Sequence, residues 1–245
     1  MGDMDRWNNK RWTFEEAKWP ENFLALCREF FVAEGTRKPG CNIYDDVFTT
    51  PLFFPLQRKE ELRAMMELAR AYRPRVVMEI GADKGGGFYH LVNGLQPDVA
   101  IACEIRGTPY AELFEAHFPD IQFCWLECGS REEKALHAVQ SALNGRTIDV
   151  LFIDGEKAAT RDDFDAYLPL MSRPGVVFVH DVNGDPPGEA FQDIAKTHDT
   201  DVIIDLTDTA EALRRQAMSL PESGTYEQWL RHWYGRSCGV GVVKL

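Results

Sequence analysis

The sequence predicts an α/β protein with a doubly wound, parallel β-sheet that is covered by helices on both faces. From residue 75 onward, short apolar runs alternate with segments whose apolar residues recur at helical spacing. Runs that are apolar nearly throughout are typical of strands buried on both faces, and strands separated by helices are typical of a parallel sheet. The predicted strands cover residues 75–80, 99–105, 121–126, 148–153, 175–180, 201–206 and 239–245.

The predicted helices fill the intervals between these strands. They cover residues 86–95, 110–118, 131–143, 159–171 and 189–198. An earlier amphipathic helix is predicted over 58–72 from apolar residues at positions i, i+3, i+4 and i+7. These residues are Leu62, Met65, Met66 and Ala69. Sheets of this kind bind ligands beyond the carboxyl ends of their strands, so the residues that follow each strand are the candidates for function.

Composition and charge restrict the class of protein. The chain has 245 residues, a formal net charge of −12 and 44% hydrophobic residues, as expected for one large globular domain. An acidic chain is a poor nucleic-acid binder, because that role needs a basic face. No run reaches the roughly 18 apolar residues of a membrane helix, and the first residues lack a secretory signal, so we expect a cytoplasmic protein with no membrane partner. The six scattered cysteines are expected to be reduced, and a homo-oligomer is left open.

A glycine-rich turn follows the first predicted strand, in "MEIGADKGGGFYHL". Its glycines are Gly81, Gly85, Gly86 and Gly87. This spacing departs from the G-x-G-x-x-G of dehydrogenases, which disfavours a nicotinamide oxidoreductase. Glu79 lies at the strand end, and Glu104, after the second strand, is placed to accept both hydroxyls of a ribose. A ribose without a pyrophosphate indicates S-adenosylmethionine as the cofactor. The alternative is a plain glycine turn beside an exposed glutamate.

Four segments, in their order along the chain, resemble the class I S-adenosylmethionine-dependent methyltransferases. The nearest groups are the metal-dependent O-methyltransferases and the cephalosporin-hydroxylase-like proteins. The segments are "VVMEIGADKGGG", "ACEIRG", "VLFIDGEKAATRDDFDAYLPLMSRPGVVFVHD" and "CGVGVVKL", and the resemblance covers about residues 51–245. It implies a Rossmann-like methyltransferase fold with seven strands, of which the last is antiparallel. It also implies a methyltransferase domain over 74–245 with a helical insertion at about 207–237, after an N-terminal helical segment, 1–73, that serves as a substrate or cap region.

Two acids that end neighbouring predicted strands are candidate metal ligands. Asp154 ends the fourth strand and Asp181 the fifth, and adjacent strands lie ~4.8 Å apart, so both acids can share one ion. Magnesium commonly uses one or two carboxylates, and the resemblance implies the same pair of positions. The third ligand is His180 or Asn183. A histidine ligand would favour manganese, iron or zinc over magnesium, and the alternative is that His180 is a core histidine.

Lys157 lies three residues after Asp154. Asp-x-x-Lys resembles the catechol and caffeoyl-CoA O-methyltransferases, in which the lysine is the expected base. A neighbouring metal ion disfavours the ammonium form, so we expect a lowered lysine pKa. The alternative is a solvated lysine that pairs with Glu156 or Asp162. After the third strand, the resemblance also places Ser130 near the adenine of the cofactor.

The prediction is therefore an S-adenosylmethionine-dependent O-methyltransferase that acts on a small-molecule or sugar hydroxyl with a divalent metal, magnesium or manganese. Asp154 and Lys157 are the expected catalytic residues. Two alternatives stay open: a metal-independent methyltransferase, and an S-adenosylmethionine-binding protein without turnover. The acceptor itself is not predicted, because the resemblance is weakest in the segments that would select it.

Overall fold

The computed structural model describes residues 57, 59–203 and 239–245. Its strands are β1 (Val76–Ile80), β2 (Val99–Cys103), β3 (Gln122–Leu126), β4 (Ile148–Ile153), β5 (Met171–His180), β6 (Asp199–Val202) and β7 (Val240–Lys244). Its helices are α1 (Lys59–Ala71), α2 (Gly86–Leu95), α3 (Ala111–His117), α4 (Glu133–Leu143), α5 (Thr160–Tyr167) and α6 (Pro187–Ala195). Short 3-10 turns, Lys157–Ala159 and Leu168–Leu170, flank α5.

The seven strands form one sheet in the order β3-β2-β1-β4-β5-β7-β6. Strands β1 to β5 pair in parallel, whereas β7 is antiparallel to both of its neighbours, β5 and β6. The predicted doubly wound α/β fold with an antiparallel last strand is confirmed. None of the helices in the described ranges is long and apolar enough to cross a membrane.

The register of the central strands determines where the site residues lie. Ile80 at the end of β1 pairs with Cys103 on one side and with Ile153 on the other, and Ile153 in turn pairs with Val179. The residues that follow these strands therefore leave the same edge of the sheet side by side. All residues of β1 and β2 are buried, so this edge rests on a packed core.

The apolar stripe predicted on α1 packs into that core. Leu62, Met65, Met66 and Ala69 are fully buried. Most of the predicted N-terminal segment, 1–73, and the whole insertion at 207–237 lie outside the described residues, so the predicted domain boundaries stay predictions.

Several element boundaries differ from the prediction. The helix expected over 159–171 ends at Tyr167, because Pro169 has no N–H to continue the α-helical hydrogen bonds, and the chain continues as a 3-10 turn. Strand β5 then begins at Met171, four residues earlier than expected. Its first residues are partly exposed, so the apolar pattern identified only the buried part.

The strand expected over 201–206 also lies earlier, as β6 over Asp199–Val202. Three of its four residues are exposed, and it pairs with β7 alone. An exposed edge strand carries little apolar signal, which explains the shifted boundary.

Candidate active site

The glycine turn after β1 is shaped by close main-chain contacts. Gly81 has φ +88°, and a Cβ built at this position would lie 2.5 Å from the carbonyl oxygen of Asp154. A Cβ at Gly87 would lie 2.5 Å from Oε1 of Glu79. Positive φ and lack of space both require glycine at position 81. The turn therefore lies directly against the loop that follows β4.

Glu104 is buried at the end of β2 and is held by main-chain donors. Its Oε2 accepts a hydrogen bond from the Asp83 N–H at 2.9 Å. Its Oε1 accepts from both the main-chain N–H and the Nε–H of Arg106, each at 2.9 Å. Arg106 also forms an ion pair with Asp83 of the glycine turn. Arg106 and Asp83 were not among the predicted site residues, although "ADKG" and "CEIRG" place them within two residues of predicted ones.

Glu79 is buried within β1 and faces the same region. Burial raises its pKa well above the usual range, and the nearby carboxylates of Asp154 and Glu104 raise it further. Its Oε2 has no hydrogen-bond partner among the described residues. Glu79 is thus a buried acid with free hydrogen-bonding capacity beside the glycine turn.

The predicted metal ligands converge after β4 and β5. One ligand atom from each of Asp154, His180 and Asp181 lies within 4.8 Å of the other two. His180 Nδ1 is 3.0 Å from Asp154 Oδ1 and 3.5 Å from Asp181 Oδ1. His180 is the last residue of β5 and is buried, and Asp181 follows it with φ +62°, in the left-handed region. Two carboxylates and an imidazole suit a divalent cation, and the imidazole favours manganese over magnesium.

Lys157 bridges the two carboxylates. Its Nζ lies 2.5 Å from Asp154 Oδ1 and 2.6 Å from Asp181 Oδ2. The predicted alternative partners, Glu156 and Asp162, instead pair with Arg131. The Lys157 ammonium group lies between carboxylate oxygens of Asp154 and Asp181. These are the oxygens that would hold a metal, so they converge on one cation position. The residues therefore fit a divalent cation that displaces the Lys157 ammonium group from between the two carboxylates.

Charge pairing dominates the electrostatics of this cluster. Burial alone would lower the pKa of Lys157, but the attraction of Asp154 and Asp181 outweighs it and raises the pKa. The same balance raises the pKa of His180 to about 10. For Asp154, burial is outweighed by His180 and Lys157, which lower the pKa. The predicted lowering of the Lys157 pKa thus does not hold while its two carboxylates carry no other cation.

Two residues at the start of α1 complete the cluster and were missed in the sequence. Gln57 Nε2 donates a hydrogen bond to Asp154 Oδ2 at 2.5 Å. Glu61 is fully buried, and its Oε2 lies 3.9 Å from His180 Nε2. A signal for Glu61 existed, because it lies four and eight residues before the buried Met65 and Ala69 and so shares their helical stripe.

The predicted residues Ser130 and Asn183 make contacts outside this cluster. Ser130, after β3, donates from its hydroxyl to Asp163 at 2.6 Å, and its carbonyl accepts from the Tyr167 hydroxyl. These bonds tie the loop after β3 to α5. The side-chain amide of Asn183, the alternative third ligand, packs closely against Gly239. A Cβ added at Gly239 would lie less than 3 Å from that amide.

Comparison with known proteins identifies the class. Residues 78–182 match the family model described as a methyltransferase domain, and the predicted methyltransferase is confirmed. No curated protein sequence matches the chain significantly.

Solved structures share the fold at low sequence identity. An O-methyltransferase from Bacillus cereus in complex with SAH is 14% identical, with 94% of each chain covered and a TM-score of 0.50. A candidate caffeoyl-CoA O-methyltransferase from Staphylococcus aureus is 13% identical, with 91% of this chain and 100% of that chain covered and a TM-score of 0.50. At these identities the similarity is one of fold.

Proposed function

We propose that the protein is an S-adenosylmethionine-dependent O-methyltransferase that acts on a small-molecule or sugar hydroxyl with a divalent metal. The observation that carries this proposal is the convergence of Asp154, His180 and Asp181 beside the glycine turn and Glu104. The bound SAH of the Bacillus cereus structure supports the choice of cofactor. Residues 1–73 and the insertion at 207–237 are proposed to select the acceptor.

The cofactor would be held by the glycine turn, Glu79, Glu104 and Ser130. S-adenosylmethionine supplies a methyl group that is already activated on sulfur, so the protein mainly aligns donor and acceptor and excludes water. Glu104 is suited to bind the ribose, because the Asp83 and Arg106 N–H groups fix its carboxylate at the end of β2. Its two oxygens have further lone pairs for hydroxyl donors.

The metal would be held by Asp154, Asp181 and His180. A divalent cation there would lower the pKa of a hydroxyl group of the acceptor. Lys157 would take the proton of that hydroxyl at Nζ. Once its two carboxylates are engaged by a cation, Lys157 loses the attraction that raises its pKa, and the neutral amine becomes accessible.

The test is methyl transfer from labelled S-adenosylmethionine to a panel of hydroxylated sugars, phenols and polyketides. The proposal expects transfer that rises with Mg²⁺ or Mn²⁺ and stops with a chelator. Transfer that a chelator leaves unchanged would establish a metal-independent methyltransferase. That second candidate is favoured by one observation, since the Lys157 ammonium group already bridges both carboxylates. Cofactor binding with no transfer to any acceptor would indicate a binding protein.

A further inference from the structure

The imidazole of His180 lies between carboxylates on both of its sides. Its Nδ1 faces Asp154 and Asp181, the other two candidate ligands. Its Nε2 is buried, makes no hydrogen bond among the described residues, and points to Glu61 at 3.9 Å. His180 is 4% exposed and Glu61 is 0% exposed, so water does not screen the electrostatic attraction between the two side chains.

Glu61 is itself held in place by the residue that precedes β7, the strand next to β5. Its Oε1 accepts a hydrogen bond from the Gly239 N–H at 2.9 Å, just before β7. This bond fixes the carboxylate and leaves its Oε2 on the side of His180. Glu61 is thus a fixed acid beside Nε2 of His180, the ring nitrogen that does not face Asp154 and Asp181.

We propose that Glu61 is a positioning residue that directs Nδ1 of His180 to the metal by holding the ring proton on Nε2. This inference rests on the proposed metal site. A metal-binding histidine commonly gives its second ring N–H to a carboxylate, which fixes the tautomer and strengthens the metal bond. Glu61 Oε2 lies 3.9 Å from Nε2, beyond hydrogen-bond distance, and its negative charge attracts the ring proton to that nitrogen.

A glutamine at position 61 separates this role from a purely structural one. In Glu61→Gln the amide oxygen can still accept from Gly239, so the bond to the sheet is kept. The amide nitrogen then faces Nε2 of His180 as a donor, and Nε2 must accept. The ring proton moves to Nδ1, where it blocks the metal. A structural role predicts little change in Glu61→Gln, whereas the positioning role predicts a loss of metal affinity.

The experiment is Mn²⁺ binding to the full chain, followed by electron paramagnetic resonance. Titration gives the affinity, and pulsed spectra detect the ¹⁴N coupling of a bound histidine. We expect wild type to show that coupling, His180→Gln to lack it, and Glu61→Gln to lose it with a 10–100-fold weaker affinity. Glu67→Gln is the matched control, since Glu67 is exposed on the same helix. SAH affinity and the melting temperature of Glu61→Gln should stay near wild type.

Three outcomes decide the matter. Wild-type Mn²⁺ affinity together with an intact ¹⁴N coupling in Glu61→Gln overturns the positioning role but leaves the metal site standing. Mn²⁺ bound by wild type without any ¹⁴N coupling removes His180 from the ligands, and the role of Glu61 with it. No Mn²⁺ binding by wild type overturns the metal site of the proposed function and this inference together.

Discussion

Gly81 and Asp154 are in main-chain contact across the ends of β1 and β4. The Asp154 N–H donates to the Ile80 carbonyl at 2.8 Å, and a side chain at position 81 would meet the Asp154 carbonyl. The turn proposed for the cofactor and the loop that carries Asp154, a proposed metal ligand, are therefore one packed unit. A change in either loop should disturb the other.

Gly81→Ala should lower the free energy of unfolding by about 2–5 kcal/mol, since left-handed strain adds to a clash with main-chain atoms. Gly145→Ala is the matched control. Gly145 has nearly the same φ, +83°, but nothing lies within 4 Å of its added Cβ, so only the strain of about 1–2 kcal/mol should appear. Urea denaturation of both variants measures the difference. Equal losses of unfolding free energy in the two variants would show that the clash with Asp154 adds nothing to the destabilisation by Gly81→Ala.

Glu104→Ala should weaken SAH binding by about 2–4 kcal/mol, because a pair of charge-assisted hydrogen bonds to the ribose is lost. Isothermal titration calorimetry measures the change. Glu112→Ala, at an exposed position on α3, should bind like wild type. An unchanged affinity in Glu104→Ala would remove this residue from the cofactor site.

Asp154→Asn and Asp181→Asn should each abolish metal-stimulated methyl transfer while SAH affinity stays within a few-fold of wild type. The physical reason is that an amide is a much weaker ligand for a hard cation than a carboxylate. Asp120→Asn, on the surface, controls for the loss of one negative charge. Full activity of either site variant in the presence of a chelator would exclude the metal from the reaction.

Lys157→Ala should reduce turnover by about 10²–10⁴, the usual contribution of general-base catalysis. Lys157→Arg should lose nearly as much, because a guanidinium keeps the charge but cannot release its proton near neutral pH. The rising limb of the pH–rate profile should be absent in the alanine variant. If Lys157→Ala keeps the wild-type rate and profile, Lys157 only balances the charge of Asp154 and Asp181, and His180 becomes the next candidate base.

His90 should make folding stability sensitive to acid. Burial lowers its pKa from 6.5 to about 3, so below pH 6.5 the unfolded chain binds a proton that the folded chain does not. Stability is therefore fully present above pH 6.5 and falls by about 1.4 kcal/mol per unit as the pH drops towards 3. His90→Asn should flatten this slope in urea denaturation between pH 6.5 and 4.5. The exposed His137→Asn is the control, and equal slopes in the two variants would contradict the expectation.

The strand ends and the glycine turn could be predicted because their signals are local. Apolar runs located β1 to β5, and the acids after two of those runs located Asp154 and Asp181. Neighbouring strands bring the residues that follow them together, so the cluster followed from the order of the elements. The antiparallel direction of β7 came from the resemblance, and its position between β5 and β6 was not predicted, since no local pattern encodes it.

The partners of these residues could not be predicted in the same way. Gln57, just before α1, and Glu61, on α1, reach the cluster from about 100 residues away in sequence, and nothing near them signals His180 or Asp154. Arg106 is two residues from Glu104, but its second contact, to Asp83, depends on how two loops meet. Side-chain contacts across elements leave no periodic trace, which is why the sequence identified the acids and missed what holds them.

The left-handed backbone of Asp181 limits how this site can be redesigned or can diverge. Asparagine, aspartate and glycine tolerate that conformation, whereas β-branched and bulky residues do not. Position 181 therefore has few accessible replacements, and glutamate, the longer acid, is disfavoured there by the main chain. His180 is in the regular geometry of a strand and carries no such restriction. If the proposed metal site is occupied, its metal preference is thus most readily changed by exchanging residue 180, with residue 181 left as it is.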